Sequence, residues 1–116
     1  MWLIDADKMA AFIESKNIVR RDKKVTHKLK ILKQFADEII IGNKNFEIRK
    51  NDRGYQKGDL IRFEVADEYG NRLDGRRYTK HPLHDKLYEI TYVLSGWGLE
   101  KDYVVLAIRP KEKEGD

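Results

Sequence analysis

From Thr26 the chain alternates with period two, His27, Leu29 and Ile31 standing against Lys28 and Lys30. That predicts a half-buried strand, because successive side chains on a strand point to opposite faces. Over 32–41 the period lengthens: Phe35, Ala36, Ile39 and Ile40 recur at helical spacing, and Gly42 stands where a left-handed C-terminal cap is wanted. Alternation returns at Phe46 to Arg49, with Phe46 and Ile48 predicted to enter the core and Glu47 and Arg49 to share the other face. Asn51-Asp52-Arg53-Gly54 reads as a turn, Lys57-Gly58-Asp59 as a tight entry to a strand over 60–65, and Tyr69-Gly70-Asn71 as a hairpin turn. Two further strands are predicted over 87–94 and 103–108, the last nearly all apolar. Gly75 to Asp85 has no period and reads as a loop or poorly ordered edge connection, and Ser95-Gly96-Trp97-Gly98 as a glycine-rich bend.

Before this pattern, Met9, Phe12 and Ile13 at i, i+3, i+4 predict a short amphipathic helix over 6–16, with Asp5 and Asp7 as cap and dipole partner. A charged connector over 19–24 joins it to the rest, and a polar tail follows Pro110. The expected division is 1–25 as helix and connector, 26–111 as the main domain and 112–116 as the tail. Strands outnumber helices, so the expected class is α+β, mainly β.

A chain of 116 residues has room for one core and not for two. With 41% hydrophobic and 38% charged residues, it has enough apolar side chains to offset the entropy of folding, which argues against global disorder. There is no cysteine, which excludes disulfides, thiolate zinc sites and cysteine nucleophiles and fits a cytoplasmic setting. No apolar run reaches the roughly 18 residues a spanning helix needs, so no membrane partner is expected. The net charge is +4, yet from Arg20 to Arg62 there are 13 Lys/Arg against 6 Asp/Glu, a local surplus of +7. Such a segment favours a polyanion, since each neutralised phosphate releases a condensed counterion; a solvated face that only keeps the protein soluble is the alternative.

The run Gly42-Asn43-Lys44-Asn45-Phe46-Glu47-Ile48-Arg49-Lys50-Asn51-Asp52-Arg53, followed by Tyr55-Gln56-Lys57-Gly58-Asp59, resembles the ASCH family of PUA-like domains in its Gly-x-Lys-x-x-Glu-x-Arg core and its later Lys-x-Gly-Asp. The strands around His27 to Ile31, Ile90 to Val93 and Tyr103 to Leu106 are similar to a compact bacterial and phage branch. The resemblance implies a small, partly open β-barrel with one or two short helices packed on it, a cleft beside the motif, and RNA as the type of ligand. One branch of the family hydrolyses acetylated cytidine with a lysine, a threonine and a glutamate. The lysine corresponds to Lys44, but Glu47 stands at the threonine position, and a carboxylate cannot supply hydroxyl chemistry.

Lys44, Glu47, Arg49, Asn51 and Arg53 are therefore the candidate ligand site, offering cationic forks for phosphate and one carboxylate for a base edge. Alternatively, Glu47 and Arg49 form ion pairs on a solvated sheet and Asn51 serves the turn. Tyr55 and Trp97 are the candidate rings for base stacking, with Tyr69 and Tyr78 also in turns or loops, whereas Tyr88, Tyr92 and Tyr103 read as packing residues. His81-x-x-His84 has a spacing found in some metal sites, but its surroundings supply no ligand set, so neither a metal nor a cofactor is expected. The expectation is a binding module for RNA or a nucleotide, rather than an enzyme. One alternative is a small amidohydrolase on a modified nucleoside, with Glu47 as base and Lys44 as the stabilising cation. The other is a protein adaptor, in phage or bacteria, that engages its partner through the helix over 6–16.

Overall fold

The computed structural model describes residues 23–111. They form β1 (Thr26–Leu32), α1 (Lys33–Ile40), β2 (Phe46–Lys50), β3 (Leu60–Ala66), β4 (Leu87–Ser95) and β5 (Tyr103–Pro110). The helix expected over 6–16 and the tail over 112–116 lie outside the described residues. With 42% strand and one short helix, the described fold is α+β and mainly β.

All five strands belong to one sheet, in the order β1-β3-β4-β5-β2. β1 runs parallel to β3 and every other pairing is antiparallel. The sheet curls into a half-barrel, leaving β1 and β2 as its two edges. Side chains, not a ladder, cross between those edges: Arg49 Nη2 donates to the Lys30 carbonyl at 2.6 Å and Arg53 Nη1 to the Lys28 carbonyl at 2.7 Å. Two guanidinium groups thus satisfy edge carbonyls that an adjoining strand would otherwise take.

The concave side holds the core. Leu29 and Ile31 of β1, Ile61, Phe63 and Val65 of β3, Ile90 of β4, and Val104, Leu106 and Ile108 of β5 are all buried there, with Ala36 and Ile39 of α1 against them. The helix ends as its sequence predicts: Gly42 adopts φ +88 and donates its N–H to the Ile39 carbonyl at 3.1 Å, a conformation glycine reaches without a Cβ clash.

β4 contains an irregularity that alternation could not reveal. Its register against β5 shifts between Ile90 and Tyr92, so Thr91 is an extra residue in the strand and the facing of the side chains reverses across it. Tyr88 and Ile90 point inward, but Tyr92 is exposed while Val93 packs on the core. Tyr92 and the partly exposed Tyr103 are accordingly outer-face residues rather than packing residues.

The 75–85 segment is a loop, as expected, but its second half is anchored rather than loose. Leu83 is fully buried, and two histidines tie the loop down. His81 Nδ1 accepts the Leu83 N–H at 3.0 Å while its Nε2 donates to Asp37 Oδ1 of α1 at 2.7 Å. His84 Nδ1 accepts the Val65 N–H at 3.1 Å, standing in for a strand on the side where β3 has left β4. The two imidazoles serve different partners and do not converge on a common point, and no group of three metal-ligating side chains occurs among the described residues.

Candidate functional site

β2 and the turn before it bring Glu47, Arg49 and Lys44 together beneath the seam between the two edge strands. Glu47 is buried, and both its oxygens are engaged: Lys44 Nζ reaches Oε1, and Arg49 Nε donates to Oε2 at 3.0 Å. Lys44 Nζ also donates to the Phe46 carbonyl at 2.6 Å and lies 5.8 Å and 5.0 Å from the Phe35 and Phe46 ring centroids. Glu47 and Arg49 do share a face, but it is the inner one. Phe46 and Ile48 are exposed, the reverse of the sequence expectation. The pairing explains the inversion, since Glu47 stands opposite Leu106 and Arg49 opposite Val104, both inward residues of β5. A buried carboxylate is tolerable here because two cations neutralise it.

The other expected residues separate. Arg53 lies at the seam on the Lys28 carbonyl. Asn51 Oδ1 accepts the Tyr55 N–H at 3.2 Å and shapes the turn. Tyr55 is not an exposed stacking ring: it is buried with its centroid 4.7 Å from that of His27. Burial pushes its phenol above the ordinary value, with the Arg53 and Arg49 charges acting in the opposite direction. His27 Nε2 in turn donates to the buried Asp59 Oδ2 at 2.8 Å, an oxygen that also accepts the Gln56 N–H at 3.0 Å. Trp97, at φ +55 in the β4–β5 turn, is exposed and stands on a different part of the molecule from β1. For a hydrolase the Lys44 and Glu47 contact is formed, yet neither carboxylate oxygen is left without a donor.

On the convex side of β1 and β3 lies a second group that sequence reading did not assemble. Lys28 and Arg62 are register partners across the parallel ladder, and Lys30 is partnered with Glu64. Lys28 and Arg62 line a cleft of about 250 Å³ with Glu64, Arg72, Asp74, Arg76, His84 and Asp85. Arg72 takes Glu64 at 3.0 Å and Asp74 at 3.7 Å. Arg76 donates its backbone N–H to Asp74 Oδ1 at 3.0 Å, whereas no carboxylate among the described residues forms an ion pair with Lys28 or Arg62. Since His84 Nδ1 accepts a backbone N–H, its proton is on Nε2, 3.9 Å from Asp85 at the cleft rim.

The family model of a domain of unknown function, DUF3850, matches residues 26–108, from the first residue of β1 into β5. The chain belongs to the DUF3850 family. The DUF3850 match takes in the seam residues and every residue lining the convex cleft. No curated protein matches the chain. No helix among the described residues of this DUF3850 domain is long and apolar enough to cross a membrane.

Proposed function

We propose that this domain is a binding module for RNA or a nucleotide-like ligand, whose phosphates lie along the seam edge of β1 and the convex cleft beside it. The observation that carries the reading is the row Arg53, Lys28, Arg62. Arg53 is bound to a neutral carbonyl, and the next two cations stand side by side with no ion pair to a carboxylate among the described residues. Like charges directly across a ladder oppose folding; an anionic ligand removes that repulsion and gains the release of counterions. Arg49 likewise reaches the seam, donating to the Lys30 carbonyl at 2.6 Å. Glu47 holds Arg49 and Lys44 in place beneath the seam, and Tyr69 and Tyr78 are exposed rings available for base stacking. We further read the half-barrel as a small ASCH-type member of the PUA-like folds, working in a reducing, cytoplasmic setting.

Fluorescence anisotropy with a labelled single-stranded RNA, titrated at several salt concentrations, tests this reading. Binding should weaken linearly on a log–log plot, by about 0.7 per phosphate contacted, and Lys28→Glu with Arg62→Glu should abolish it. If there is no binding at low salt, or the double variant titrates like the parent protein, the reading fails.

A further inference from the structure

The Nε2 atoms of His27 and His81 each meet an aspartate oxygen, at 2.8 Å and 2.7 Å. That of His84 does not. His84 is only 5% exposed, yet its Nε2 has no carboxylate nearer than Asp85 at 3.9 Å, beyond hydrogen-bond distance. The described residues hold no fully covered side-chain nitrogen or oxygen without a partner, so this N–H opens onto the convex cleft that His84 lines. Water or a ligand in the cleft is the acceptor that it requires.

The backbone of β3 fixes the position of this donor. β3 pairs with β4 only over Leu60 to Arg62, and beyond that point residues 84–85 take the place of β4. The Val65 N–H donates to His84 Nδ1 at 3.1 Å, and the Asp85 N–H donates to the Phe63 carbonyl at 3.0 Å. Asp85 is held at φ +67 to do so, a conformation uncommon outside glycine. The imidazole is thus oriented before any ligand arrives, which lowers the ordering cost of binding.

The cations around it divide into two kinds. Arg72 is engaged by Glu64 and Asp74. Lys28 and Arg62 stand in register and form no ion pair among the described residues. Two such cations and a neutral donor match a group with two negative charges and several terminal oxygens. A phosphomonoester has both, with a charge of about −1.5 to −2 at neutral pH and three acceptor oxygens. A phosphodiester inside a strand carries a single charge. The cleft, at about 250 Å³, is also smaller than the roughly 300 Å³ at which pockets for drug-sized ligands begin, and it suits an end group better than a continuous strand.

We propose that the convex cleft receives a terminal phosphomonoester of RNA, with Lys28 and Arg62 neutralising its charge and the His84 Nε2–H donating to one of its oxygens. This rests on the RNA-binding reading above and narrows it to strand ends.

The test uses the full chain and internally labelled single-stranded RNAs of one sequence, with a 5′-phosphate, with a 3′-phosphate, or with hydroxyls at both ends. A hydroxyl-ended RNA one nucleotide longer controls for added charge. At least one end-phosphorylated RNA should bind about tenfold tighter than both hydroxyl-ended RNAs, the worth of a hydrogen bond to a charged group; which one does so identifies the end. His84→Asn should lose most of that preference and bind hydroxyl-ended RNA as the parent does. Its side-chain oxygen can still accept the Val65 N–H, but it has no donor at the Nε2 position. In the parent protein, the imidazole NMR signal of the His84 Nε2–H should move on adding the preferred RNA, while those of His27 and His81 stay. Equal binding of all four RNAs overturns the proposal and leaves RNA binding intact, whereas no binding of any at low salt defeats both. A preference that survives in His84→Asn, or an unmoved His84 signal, also overturns it.

Discussion

Arg53 donates to the main-chain carbonyl of Lys28 at 2.7 Å, although the two residues come from opposite edges of the sheet. The contact sets a guanidinium on the backbone of the residue whose side chain lines the convex cleft, with a neutral carbonyl and not a carboxylate as its partner. Seam closure and concentration of positive charge are therefore one arrangement: the groups that draw the edges together also build the surface proposed to meet phosphate. The consequences for binding, stability and acid response follow from particular contacts.

Charge reversal at Lys28 or Arg62 alone is expected to weaken RNA binding and to reduce the slope of log affinity against log salt by about one phosphate contact each. Reversal of Lys101, in the β4–β5 turn, should leave the slope unchanged. Anisotropy titrations across a salt series compare the three.

Glu47→Ala should destabilise the domain by about 3 kcal/mol, because it leaves Lys44 and Arg49 partly buried without their shared counter-charge. Glu47→Gln should cost less, since its amide oxygen can still accept one of the two bonds. Urea unfolding at a common m value measures both. A Glu47→Ala midpoint equal to the parent's would mean the buried cluster contributes nothing to folding.

His84→Ala is expected to cost about 1–3 kcal/mol by leaving the Val65 N–H without its acceptor. Faster hydrogen exchange at the Val65 amide, measured by NMR, would locate the loss at that bond. An unchanged exchange rate would show that another acceptor replaces the imidazole.

The His81 hydrogen bond, and after it the Lys33 hydrogen bond, hold the Asp37 carboxyl below its ordinary value of 3.8. A group depressed in this way adds stability above its unfolded value, and that contribution is lost as pH falls through the lowered value. Asp37→Asn should therefore be less stable than the parent at neutral pH, and the two should converge on acidification. The size of the effect is small because Asp37 is 47% exposed. Thermal melts of both proteins along a pH series would show the gap closing; a gap that widens in acid contradicts the assignment.

Several elements were legible in the residues alone. Alternation at His27 to Ile31 predicts β1, the Ala36 and Ile39 spacing with Gly42 predicts α1 and its stop, and the apolar run from Tyr103 predicts β5. These signals are local: a face is buried or a glycine is needed within a few residues. The motif around Lys44 likewise brought Lys44, Glu47 and Arg49 to one place, because two of them share a strand face and the third precedes it by a single turn.

What the sequence determined is thus the set of elements and which side chains travel together along each. Only the tertiary structure decided which face is inside. Period two is symmetric between faces, so it could not say that Glu47 would be buried and Ile48 exposed, nor that an extra residue at Thr91 would turn Tyr92 outward. The pairing of Lys28 with Arg62, and of His27 with Asp59, joins residues far apart in the chain. Such contacts are set by register and curl of the whole sheet, a property of the packed strands together and of no one segment.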